Sequence, residues 1–148
     1  MEPAERKYDL EERQIKFAGQ VIFIVDKLPS GIAAKHLAGQ LTRSGTAPAL
    51  NYAEAISAER DFVHKMGIVL KELRETKVCL RIISNQQYLQ DTLVQNAGNE
   101  CNELVLIIAK STWTARANRP PTKIEKQQYN PYESPPIKID HWKLTIKN

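Results

Sequence analysis

The stretch FVHKMGIVLKELRETKVCLRII, residues 62–83, carries the cleanest helical pattern in the chain. Phe62, Met66, Val69, Leu73, Thr76, Leu80 and Ile83 recur at alternating spacings of four and three, a heptad seam. Residues at that spacing share one side of a helix, and an apolar side must be buried. Arg60, His64, Lys71, Arg74 and Arg81 form a second heptad-spaced line. It is offset by two residues from the seam, roughly 200° round the helix. One face of this helix packs, and the opposite face carries positive charge.

Working outward, the same reading predicts three more helices. Pro29 stops a first helix over about 10–28, in which Ala18, Val21, Val25 and Leu28 form the seam and Phe17, Ile22 and Ile24 widen it. Asp9 and Glu12 resemble its capping box, and Ser30 is placed to cap the second helix. The second helix covers about 31–56, with Leu37, Leu41, Ser44, Asn51 and Ala55 in phase. Pro48 falls inside it, so a kink near 44–48 is expected, and the resumed phase argues against a break. Ser57 can cap the third helix, expected over about 58–86. In the fourth, about 91–118, Cys101, Val105, Ile108, Thr112 and Ala115 make the stripe, and Pro120-Pro121 end it. Four amphipathic helices joined by short turns predict an all-α, antiparallel up-down-up-down four-helix bundle over 1–118.

Beyond Arg119 the composition changes. Pro120, Pro121, Pro131, Pro135 and Pro136 make 119–148 a Pro-rich C-terminal tail, extended in character. Ile137, Ile139, Trp142, Leu144 and Ile146 give its end enough apolar surface to dock or pair as a strand. Tyr129, Tyr132 and Trp142 can stack on bases or anchor the tail to protein, whereas Trp113 is expected to pack near the end of the fourth helix.

The totals fit one domain. The chain has 148 residues, 42% of them hydrophobic, and a net charge of +4. Residues 1–118 hold 15 Lys+Arg against 14 Asp+Glu, and residues 119–148 hold 6 against 3, so the surplus lies mostly in the tail. Such a balance suits an anionic partner without demanding one. Cys79 and Cys101 lie in apolar helical contexts without C-x-x-C spacing, which reads as reduced core thiols. The longest apolar run, Val21–Val25, is far short of the ~20 residues of a membrane span. A cytoplasmic protein is expected.

Gln40-Leu-Thr-Arg-Ser44, Asn51-Tyr-Ala-Glu54, Asp61-Phe62 and Lys71-Glu-Leu-Arg-Glu-Thr76 closely resemble, in order, motifs of the bacterial four-helix-bundle family named for 23S rRNA intervening sequences. The resemblance spans about residues 10–118. It implies a bundle that assembles as a homopentamer. It also implies kinship with the pentameric accessory protein of diversity-generating retroelements, a basic bundle that binds nucleic acid and a reverse transcriptase. Ala47 stands where many members have Ser, and Pro48 replaces a common aliphatic residue.

Two residue sets come forward as sites. Gln40, Arg43, Asn51, Glu54, Glu72 and Glu75 are the polar residues of the motifs. A carboxylate enzyme or metal site would want a Glu-x-x-His, which is absent around Glu72 and Glu75. The favoured reading is a structural polar network in which Arg43 donates to one of the two glutamates. The line Arg60, His64, Lys71, Arg74 and Arg81 is either a solvated face or a phosphate-binding ridge repeated round a ring. No catalytic triad, Gly-rich phosphate loop or zinc spacing occurs, so no catalytic residue, cofactor or metal is assigned. The expectation is a non-enzymatic oligomer that binds RNA or DNA. The alternative is a protein-interaction scaffold using the bundle surface and the tail.

Overall fold

A computed structural model of the chain describes residues 10–89 and 92–119. Four helices follow in order: α1 (Leu10–Asp26), α2 (Ile32–Ser57), α3 (Phe62–Asn85) and α4 (Thr92–Asn118). Among the described residues there is no strand. Each helix packs on its two neighbours in the ring α1–α2–α3–α4, which closes through α4 on α1, and α2 against α3 is the most extensive contact. The short connections reverse direction each time, so the bundle is antiparallel, as the sequence predicts. No described helix is long and apolar enough to cross a membrane. The Asp9 cap, the Asp91 cap and the Pro-rich tail from Pro120 onward lie outside the described residues.

The α3 seam packs as its spacing requires. Met66, Val69, Leu73, Thr76, Leu80 and Ile83 are buried, and Phe62 at the open end is partly so. At ~25 cal/mol per Å² of apolar surface, each such side chain contributes about 1.5–3 kcal/mol. In α1 the buried line is Gln14, Phe17, Val21 and Ile24 instead of Ala18, Val21, Val25 and Leu28. Ile22 is left 46% exposed. The many apolar residues of α1 make two overlapping stripes, and packing against α2 and α4 selected the one that includes Gln14. In α4 the stripe is Val94, Ala97, Cys101, Leu104, Ile108 and Thr112. Val105 and Ala115 fall on its half-buried margin.

The helix ends differ from the capping expectations. Gly31 in extended conformation, and not Ser30, precedes α2, and it makes no side-chain cap. Ser57 is the last residue of α2, and its hydroxyl donates back to the Ala53 carbonyl at 2.8 Å. A single 3-10 turn, Glu59–Asp61, then leads into α3. At the other end of α3, Gln87 takes a left-handed φ of 53°. Its N–H donates to Ser84 O at 3.0 Å, and the Tyr88 N–H donates to Ile83 O at 3.3 Å. This is a Schellman closure with glutamine where glycine is usual, and the Tyr88 ring is held against the core as that motif prefers.

Pro48 does not break α2, which runs from Ile32 to Ser57 with Pro48 buried inside it. Two helical turns around it are lined by small residues. Gly45 lies directly beneath Val21 of α1, so α1 and α2 approach most closely here. The Thr76 hydroxyl donates to Ser44 Oγ at 3.0 Å on the other side of α2. Thr76 thus occupies a seam position without leaving a buried hydroxyl unsatisfied.

Candidate nucleic-acid interface and the polar clasps

Arg43 of α2 reaches across to α3. Its Nη1 donates to Glu72 Oε2 at 3.0 Å, and its Nη2 donates to Glu75 and, at 3.2 Å, to Gln40 Oε1. The Glu72 side chain is only 8% exposed, whereas that of Arg43 is half exposed. A carboxylate that far out of water needs a cation and hydrogen-bond donors, and Arg43 supplies both. Glu75, then Glu72, push the Arg43 pKa further up, so the guanidinium is a permanent charge. Four of the six expected network residues therefore meet. Asn51 and Glu54 do not join them. Asn51 Nδ2 donates to the Ala47 carbonyl at 3.0 Å within α2, and Glu54 pairs with Lys65 one α2–α3 contact further along.

A second clasp was not foreseen. Arg13 of α1 forks onto α4, with Nε to Glu100 Oε1 at 2.6 Å, Nη2 to Glu100 Oε2 at 3.0 Å, and Nη2 also to Glu103. The bond to Glu100 is the main cause of the raised Arg13 pKa. The signal in the sequence is slight: two glutamates three apart on α4 and an arginine in the first turns of α1. Their meeting depends on α4 closing the ring onto α1.

The basic line behaves differently from these clasps. Arg60, His64, Lys71, Arg74 and Arg81 are all exposed. The nearest recorded acid contact is loose, Lys71 Nζ at 3.8 Å from Glu72 Oε1. Because Glu72 and Glu75 are occupied by Arg43 at the α2 side, they soften the outer face of α3 less than their sequence positions suggest. The same outer face carries Val78, 54% exposed, and Ile82, 39% exposed. Trp113, expected to pack, is half exposed on α4.

A profile of the 23S rRNA-intervening sequence proteins matches residues 6–110, most of the bundle. The chain belongs to that family. Among solved structures it is similar to a protein of unknown function from the S23 ribosomal protein family of Bacteroides thetaiotaomicron, solved at 1.70 Å. The TM-score is 0.64 at 24% identity, over 70% of this chain and 97% of that one, a likeness that bears on the fold alone. No curated protein sequence matches this chain. As a 23S rRNA-intervening sequence protein, the chain has its family boundary near the end of α4, and the Pro-rich segment lies beyond it.

Cys79 and Cys101 are both buried free thiols. Cys101 Sγ donates to the Leu73 carbonyl at 3.2 Å, and burial pushes its pKa up to about 12. Among the described residues, no group of His, Cys, Asp and Glu is arranged to hold a metal ion.

Proposed function

We propose that this chain is a non-enzymatic, cytoplasmic homo-oligomer, a pentamer, that binds RNA or another nucleic acid through the outer face of α3 repeated in each subunit. The observation that carries the reading is the exposure of all five cationic or titratable residues on that line, outside the Arg43 clasp. Residues 1–118 have nearly balanced charge, so affinity must come from clustering and repetition, and each neutralised phosphate releases counterions. Exposed apolar residues on α1, Ile15 and Ile22, support self-association, since side chains of that size are usually covered.

The test is a salt series of RNA binding together with a mass measurement. Expected are an assembly near five times the 16.8 kDa chain and an affinity that falls steeply with salt. Arg74→Glu with Arg81→Glu should abolish binding and leave the mass unchanged. Absence of binding at low salt refutes the nucleic-acid reading.

The second reading, a protein-interaction scaffold, draws on Val78 and Ile82. Two exposed aliphatic side chains amid the cations suit a protein partner better than a phosphate backbone. Partner capture that survives the charge reversals but is lost in Val78→Asp would favour it.

A further inference from the structure

We propose that the end of the bundle where α3 begins and α4 finishes is a stacking platform for an unpaired base, which makes single-stranded nucleic acid the preferred ligand. This rests on the nucleic-acid reading above and adds the strandedness of the ligand.

The register between α3 and α4 is set at mid-helix, where Cys101 Sγ meets the Leu73 carbonyl. Trp113 lies as far along α4 from Cys101 as Asp61 lies back from Leu73, roughly 18 Å in each case at the α-helical rise. Because α3 and α4 run antiparallel, Trp113 comes level with Arg60 and His64 at the start of the basic line. Around α4, Cys101, Leu104 and Ile108 face the core and Glu100 and Glu103 face Arg13 of α1. Trp113 falls roughly 130° from the buried stripe, on the flank opposite those glutamates and therefore towards α3.

Half of the Trp113 side chain is open to solvent. Lys110 and Arg116, three residues before and after it on α4, are both exposed. Asp61 is an exposed acid at the same level, set against the cations Arg60, Lys110 and Arg116. An aromatic face bordered by cations fits a nucleotide whose base is free to stack and whose phosphate needs neutralising. A duplex offers such a site only its phosphates, because its bases are already stacked and paired. The cations alone do not discriminate between the two forms, so the indole is what selects the single strand.

The experiment uses the full chain carrying Trp142→Phe, which leaves Trp113 as its sole tryptophan. Oligoadenylate and a duplex RNA of equal length are titrated at one low salt concentration while tryptophan emission is followed. Tighter binding of the single strand with quenching of the emission is expected. Trp113→Ala should weaken the single strand roughly 5- to 150-fold and leave the duplex unchanged, and Trp113→Phe should retain most of the affinity. Equal affinity for both nucleic acids without quenching overturns the platform and leaves the basic ridge standing. Equal losses for both in Trp113→Ala also overturn it, as a sign that the indole only supports the fold. Failure of either nucleic acid to bind removes the nucleic-acid reading and the platform with it.

Discussion

Val21 of α1 sits directly over Gly45 of α2: a Cβ built on the glycine would stand 2.6 Å from Val21 Cγ1 and 3.1 Å from Val21 Cβ. A β-branched side chain has little rotamer freedom with which to withdraw. Gly45→Ala is therefore expected to destabilise the bundle by about 1–3 kcal/mol through overpacking, less any gain in helix propensity. Gly39, in the same helix, has nothing within 4 Å of such a Cβ. Gly39→Ala should stabilise by about 0.5–1 kcal/mol. Opposite shifts in the denaturant midpoint check the pair, and two shifts of the same sign would contradict it.

Gln14 is buried in α1, and neither its Nε2 nor its Oε1 has a hydrogen-bond partner. A buried amide in that state carries its desolvation penalty uncompensated. Gln14→Leu, close in volume and apolar, should raise stability by about 1–3 kcal/mol. Thermal unfolding measures it. A lowered Tm would show that the amide is satisfied in solution.

Removing Arg43 strands the buried Glu72 carboxylate. Arg43→Met is expected to cost about 1–3 kcal/mol. Lys65→Met, which breaks the pair with the exposed Glu54, should cost less than about 1 kcal/mol. The double variant Arg43→Met with Glu72→Gln should recover part of the loss. A double-mutant cycle by urea denaturation gives the coupling.

Burial raises the Cys101 thiol to about 12 from an ordinary value of 9.0. Between those values the unfolded chain releases a proton that the folded chain keeps. The stability linked to this thiol is thus full below about pH 9 and is lost progressively as pH rises towards 12. Stability profiles of wild type and Cys101→Ala should run parallel up to about pH 9 and converge above it. Native Cys101 should also resist alkylation at pH 8, because the reactive thiolate is absent.

How much of this was legible beforehand follows from what each feature depends on. The four helices and their approximate limits were readable because period 3.6, Pro29, Pro120 and Pro121 act locally. The α3 seam was readable in full because its apolar residues make a single stripe. The α1 stripe was misplaced because Ala18, Val25 and Ile22 compete with Gln14, Phe17 and Ile24, and helical spacing alone does not rank two apolar faces. The Arg43 clasp was half legible. The glutamates at 72 and 75 share a face by spacing, but the separation of Asn51 and Glu54 from them depends on α2–α3 register.

The sequence by itself determined the class of fold and the outward charge of α3, since both are properties of one helix at a time. Only the tertiary structure decided which side chains meet across helices: Arg13 with Glu100, Arg43 with Glu72, Val21 with Gly45, Thr76 with Ser44. It also left Trp113 in solvent, level with Arg60. The physical reason is that periodicity specifies angle around a helix axis, whereas partners depend on the rotation and sliding of one axis against another. Those two quantities are settled by close packing of the whole bundle.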